Sequence, residues 1–211
     1  MSLNHPATVL VIGGTGCGKS VFTRSLIENH QQTFSHLPAQ PKVLWCYGIY
    51  QDSFAFPIKN TNSLFHEGLV DEDYIKTRRP DILVIDDMMN EKSDDIFVHN
   101  LFTKLSHHLN ITVIFITQNL YQKGQVQMKR NAHYLVLMRS PSDKSQVMTL
   151  GRQLYPGSSH FFLEAYNDAT SRKFGYLLID VSPESEEETR LKTDIIPDSR
   201  GLCMPTVYVR K

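Results

Sequence analysis

The run Gly13-Gly14-Thr15-Gly16-Cys17-Gly18-Lys19-Ser20 limits what this chain can become more than any other feature. It fits G-x-x-x-x-G-K-[ST] in full, leaves a β-branched run at Thr8–Ile12 (TVLVI) and opens a helical pattern from Lys19 to about Asn29. Glycines let successive backbone N–H groups curl around a β-phosphate, and the following helix N-terminus adds positive partial charge. Lys19 is expected to neutralise β/γ oxygens and the Ser20 hydroxyl to ligate Mg²⁺. The expected nucleotide-binding set is therefore Gly13, Gly14, Thr15, Gly16, Cys17, Gly18, Lys19, Ser20 and the adjoining Val21, with ATP and Mg²⁺ as ligands. Cys17 is read as a small side chain filling the loop.

Further apolar runs recur along the chain. Val43–Tyr47 (VLWCY) follows a Pro/Gln-rich connector at Gln31–Lys42; Ile82–Ile85 (ILVI), Ile111–Ile116 (ITVIFI), Tyr134–Met138 (YLVLM) and Tyr176–Val181 complete the set. Between them, Ile96, Phe97, Leu101, Leu105 and Leu109 keep a period near 3.6, predicting a helix from Asp94 to about Leu109. A second helix is expected over Asp143–Leu154. Continuous apolar strands alternating with helices predict a mostly parallel sheet covered on both faces, an α/β domain over residues 1–181. Residues 182–211 are expected to form a partly irregular C-terminal extension, with Glu184–Glu188, Arg190 and Lys192 solvated. Trp45, Tyr47 and Tyr50 are read as core packing and crevice lining.

Asp86-Asp87 ends the ILVI strand. A carboxylate at the C-terminal edge of such a strand faces the phosphate crevice and can hold the metal shell, the role expected of Asp86 beside Ser20. Asp87 is the expected base that orients and deprotonates an attacking water. Gln118, in Thr117-Gln118-Asn119, is the expected γ-phosphate sensor, on a strand predicted to lie beside the phosphate-loop strand. This order favours hydrolysis coupled to motion. A nucleoside or nucleotide kinase and a nucleotide-bound assembly adaptor without sustained turnover remain open alternatives.

Composition removes other classes. With 41% hydrophobic and 21% charged residues, the chain resembles neither a disordered segment nor a disulfide scaffold. Apolar stretches of about four residues are far short of the ~20 of a membrane-spanning helix, and MSLNHP lacks the plan of a secretory signal. Cys17, Cys46 and Cys203 form no C-x-x-C pair, which fits a reduced intracellular setting without zinc. His107 and His108 are read as solvated helix positions. Lys plus Arg, 22, equals Asp plus Glu, 22, so any nucleic-acid surface must be local. Asn119–Asp180 holds eight Lys or Arg against four Asp or Glu, a polarity compatible with a basic pore lining. Lys123-Gly124, in the polar loop Gln122–Gln127, is the preferred pore-loop segment.

The phosphate loop, IDD and ITQN series resembles the FtsK/HerA-type division of P-loop ATPases. More narrowly, it is similar to the genome-packaging ATPases of Maverick/Polinton elements and adintoviruses, and more distantly of poxviruses. VLWCYGIYQ (Val43–Gln51), FHEGL (Phe65–Leu69), RNAHYLVLMRSPSD (Arg130–Asp143) and GYLLIDVSPESEEETRLKT (Gly175–Thr193) extend the likeness over about residues 8–195. The resemblance implies a three-layer RecA-like domain that forms a pentameric or hexameric homo-oligomeric ring. It also implies translocation of double-stranded DNA into a preformed capsid, contact with capsid proteins, no membrane, and a place in the virion or assembly site. Ring ATPases complete the site with a neighbour's arginine; Arg130 is the first choice here, before Arg139 and Arg152. An Asn-Pro-Arg-Asp-like turn is expected in relatives, whereas this chain has Ser140-Pro141-Ser142-Asp143.

Overall fold

Thr8–Ile12 is buried along its whole length and forms β1, the strand from which the glycine loop departs. The computed structural model describes residues 2–86, 88, 97–118, 125–198 and 200–210. After β1 come α1 (Lys19–Glu28), a short α2 (His30–Thr33), β2 (Lys42–Tyr47), β3 (Asn62–Glu67), α3 (Glu72–Arg78) and β4 (Ile82–Asp86). A helical run over 97–108, here α4, contains a π-helical turn at Leu101–Leu105. Then follow β5 (Thr112–Thr117), α5 (Gln125–Asn131), β6 (Tyr134–Met138), α6 (Lys144–Leu154), α7 (Ser159–Ala169), β7 (Tyr176–Asp180), β8 (Leu191–Thr193) and β9 (Thr206–Tyr208).

Among the described residues the strands form one nine-stranded sheet in the order β3-β2-β4-β5-β1-β6-β7-β8-β9. Pairing is parallel from β3 through β6 and antiparallel from β6 to β9. Parallel strands need both faces covered, and alternate side chains supply two separate cores. On one face Val9, Val11, Trp45, Val84 and Ile116 meet Phe22, Leu26 and Ile27 of α1. On the other, Leu10, Ile12, Leu83, Ile85 and Phe115 meet Phe102 of α4, Val147 and Leu150 of α6, and Phe162 and Ala165 of α7. The molecule is thus a three-layer α/β domain with a mostly parallel sheet, as the apolar strand pattern predicts.

Strands β1 and β6 have the predicted bounds, β2, β4 and β7 differ by a residue at one end, and β5 is shifted by one residue at both ends. Elsewhere the structure corrects the sequence reading. Gln125 opens α5, so Gln122–Gln127 is not loop throughout; Met128 and Ala132 are drawn into the core beneath it. Asp94–Ile96, the predicted start of α4, and Lys123-Gly124 lie outside the described residues. Glu186, Glu187 and Glu188 are exposed, but Lys192 is not solvated: it is 5% exposed in β8, with Nζ 3.6 Å from Asp180 Oδ2. Trp45 is buried against Phe54 and Phe65, Tyr47 packs on Phe54, and Tyr50 is exposed. Among the described residues, no helix is long and apolar enough to cross a membrane.

Candidate nucleotide site

The register of the central strands aligns the site. Ile12 pairs with Thr117 and with Leu137, and Asp86 pairs with Ile116, so the tips of β1, β4, β5 and β6 stand along one edge. The loop from Gly13 to Gly18 crosses that edge and feeds α1, whose apolar face (Phe22, Leu26, Ile27) locks it to the sheet.

The loop's shape follows from its glycines. Gly18 caps α1 at φ 97° and ψ 19°, a left-handed conformation that disfavours a side chain. With no side chain at the cap, the first-turn N–H groups of α1 point toward the cleft without a local side-chain acceptor, as anion binding requires. A Cβ on Gly13 would lie 2.9 Å from Met138 Cβ, so only glycine lets the loop pass this close to β6.

Lys19 Nζ donates to the carbonyls of Gly13 (2.8 Å) and Gly14 (3.1 Å), folding the lysine back over the loop. Ser20 Oγ donates to Asp86 Oδ2 at 3.0 Å. Thr15 Oγ1 donates to Gln118 Oε1 at 3.0 Å. Lysine, hydroxyl, carboxylate and amide, drawn from residues 19, 20, 86 and 118, therefore meet around one cleft. The cleft measures about 480 Å³ and is also lined by Gly16, Val21, Gln51 and Phe174. Two hard oxygen donors, the Ser20 hydroxyl and the buried Asp86 carboxylate, suit a small divalent cation such as Mg²⁺. Burial pushes the Cys17 thiol up, only partly offset by Lys19, so it stays a protonated spacer at neutral pH.

Other expected residues fall elsewhere. Asp87 lies outside the described residues. Arg130 is exposed at the end of α5; the carbonyl of the next residue, Asn131, accepts from Thr8 Oγ1 at 2.9 Å. Thr8 begins β1 and Ile12 ends it, so Arg130 sits at the sheet edge opposite its own phosphate loop, about 15 Å away at strand rise. Arg139 is exposed on the loop's edge instead: a Cβ on Gly14 would lie 3.9 Å from its carbonyl oxygen. Arg152 is exposed on α6, with Nη2 on Met148 Sδ. Among the described basic residues of this segment, Arg130 and Arg139 thus lie at opposite sheet edges, and Arg172 is engaged by Asp194 at 2.6 Å. In the Ser140–Asp143 turn, Ser140 and Ser142 both donate to Asp143, closing the turn without an arginine. His107 and His108 are exposed, and the His107 ring stands 5.3 Å from that of His133.

Phe174 was not anticipated. It precedes β7, is 47% exposed, and its ring packs against Gly18. A contact between residues 18 and 174 has no local sequence signature.

By sequence, neither a family model nor a curated protein matches the chain. Solved structures do match. The genome packaging NTPase of Sulfolobus turreted icosahedral virus 2, in complex with AMPPCP, aligns with TM-score 0.50 and 12% identity over 83% of this chain and 93% of that one. A KaiC-like protein from Pyrococcus horikoshii OT3 aligns with TM-score 0.51 and 16% identity, covering 90% and 85%. The cytoplasmic domain of EssC gives TM-score 0.50 and 14% identity, covering 96% of this chain and 39% of that one. Such low identities speak to architecture: the fold is that of the RecA-like P-loop NTPases.

Proposed function

We propose that this chain is an ATP-hydrolysing motor that drives double-stranded DNA into a capsid, acting as a homo-oligomeric ring of the FtsK/HerA type. The observation that carries the reading is the position of β5. It inserts between β1, which bears the phosphate loop, and β4, which bears Asp86, and it presents Gln118 to Thr15 of the loop. A nucleotide kinase or small GTPase needs no such intervening polar-tipped strand; a hydrolytic motor uses one to sense the γ-phosphate. Likeness in fold to a viral genome packaging NTPase points the same way. The narrower kinship with Maverick/Polinton elements and adintoviruses rests on the sequence motifs alone.

The proposed chemistry follows from the cleft. On ATP binding, Lys19 Nζ leaves the Gly13 and Gly14 carbonyls for the β/γ oxygens, exchanging two neutral acceptors for charged ones. Ser20 and Asp86 would hold Mg²⁺, which when bound would offset the negative charge of the triphosphate. Asp87 takes the proton of a water that attacks the γ-phosphorus, and the bond to the bridging oxygen breaks to give ADP and phosphate. Gln118 orients that water and reports loss of the γ-phosphate through Thr15. An arginine from the next subunit stabilises the developing charge. Arg130 is exposed at the sheet edge opposite its own loop, so it could reach only a neighbour's site, and Arg139 is the alternative beside the loop.

Purified protein should hydrolyse Mg²⁺-ATP, faster with duplex DNA, and should run as a ring by mass. Phosphoryl transfer to an added nucleoside by a monomer indifferent to DNA would make it a kinase. One bound nucleotide per chain without phosphate release, with DNA and capsid protein present, would make it an assembly adaptor.

A further inference from the structure

The phosphate loop and its partners account for the polar lining of the cleft and leave its apolar lining unexplained. Three lining residues are apolar and open to water: Val21 is 63% exposed, Ile49 83% and Phe174 47%. Single exposed apolar residues are ordinary, but three around one polar cleft mark a surface shaped for a partly apolar ligand.

Phe174 is also held at a cost. Its φ is 64°, in the left-handed region that an aromatic residue seldom enters. Gly175 fixes the turn behind it: its N–H donates to the Arg172 carbonyl at 3.0 Å, and a Cβ there would collide with the Ala169 carbonyl oxygen. The outcome is a ring set against Gly18, where a Cβ would lie 2.6 Å from Phe174 Cδ1. Phe174 adds little to the core from this position, since nearly half of it faces water. Backbone strain kept at such a place is characteristic of a ligand clamp. Lys173 Nζ stands 5.0 Å from the ring centre, on an exposed, flexible stem that yields its place without burying a charge.

We infer that Phe174 is the nucleobase platform of this site: the base of a bound nucleoside triphosphate stacks on its ring, with Val21 and Ile49 as the further apolar lining of the cleft. The inference rests on reading the cleft as a nucleotide site and assigns a specificity residue to it. Phe174 bears no hydrogen-bonding group, so it adds affinity for a nucleoside and none for polyphosphate alone.

The test compares ATP with inorganic tripolyphosphate, both with Mg²⁺, by titration calorimetry on the full chain and on Phe174→Gly. Glycine relieves the left-handed strain, so the variant should melt at the parent's temperature or above. ATP affinity should fall about tenfold or more, the scale of base–aromatic stacking, while tripolyphosphate affinity holds within about twofold. Phe174→Trp should keep ATP affinity within about threefold of the parent. Should Phe174→Gly fold poorly, Phe174→Asn, also tolerant of positive φ, makes the same comparison. Unchanged ATP affinity, or equal losses for both ligands, overturns the platform while leaving the phosphate site standing. Failure of the parent to bind either ligand overturns the nucleotide reading and the platform with it.

Discussion

The Ser20 hydroxyl donates to Asp86 Oδ2 over 3.0 Å, tying the first turn of α1 to the tip of β4, two strands away from β1. A hydroxyl and a carboxylate already in contact need little rearrangement to share a cation. Asp86→Asn keeps the shape and removes the charge. It should bind ATP as the parent does in EDTA but lose the gain in affinity that Mg²⁺ gives, as calorimetry with and without the metal would show. Asp87→Asn should instead bind Mg²⁺-ATP normally and turn over about 100-fold more slowly. Equal phosphate release from Asp87→Asn and parent would remove Asp87 from the mechanism.

Lys19→Ala removes the cation and its two hydrogen bonds to the loop. ATP affinity should fall about 100-fold, the scale of a charge-assisted contact to phosphate. ATP at about 100 times the parent's Kd should raise the parent's melting temperature clearly and that of the variant only slightly.

Gly151→Val tests the packing of α6 on α7. A Cβ at Gly151 would stand 2.7 Å from Cδ1 of Phe162, a fully buried ring with no room to yield. Overpacking of this kind should cost about 2 kcal/mol, lowering the melting temperature by about 6 °C. ATP affinity should be unaffected, since neither residue touches the cleft.

His133 gives the fold an acid sensitivity. Its Nδ1 accepts from the Thr8 N–H at 3.1 Å, which requires the neutral ring. Burial, with His107 nearby, pulls its pKa below the ordinary histidine value, and Asp180 opposes this only in part. The unfolded chain then binds a proton that the folded chain refuses. The stability His133 contributes is complete above the unfolded pKa near 6.5 and is lost as pH falls toward the lower folded value. His5 shifts the same way, by burial first. Melting temperature should therefore drop between pH 7 and pH 5, and His133→Gln should drop less steeply; parallel curves would exclude the role.

Much of this was legible in the sequence because the buried strands are short, continuous and β-branched, and because the phosphate loop is a local motif. TVLVI and YLVLM need no partner to be recognised as strands. Strand β3 (NSLFHE) escaped because it is an edge strand whose half-exposed residues follow no clear alternation. Strands β8 and β9 have three residues each, too few for a period to register. Helix α7 carried a readable signal, since Phe162, Ala165, Tyr166 and Ala169 recur at helical spacing. The convergence of Ser20 with Asp86 follows from the parallel topology and could be foreseen. The approach of Phe174 to Gly18 depends on how the turn before β7 closes over α1, which no local pattern encodes.

Strand β1 lies between β5 and β6 and is sealed on both faces. Its amides can meet solvent only when the whole domain opens, so the glycine loop hangs from the stiffest part of the chain. A stiff anchor cannot bend as nucleotide comes and goes. On the motor reading proposed above, work drawn from hydrolysis would leave the domain through its periphery, the ribbon of antiparallel strands β7 to β9 on the far side included. The sheet's centre would then be the fixed mount for that motion.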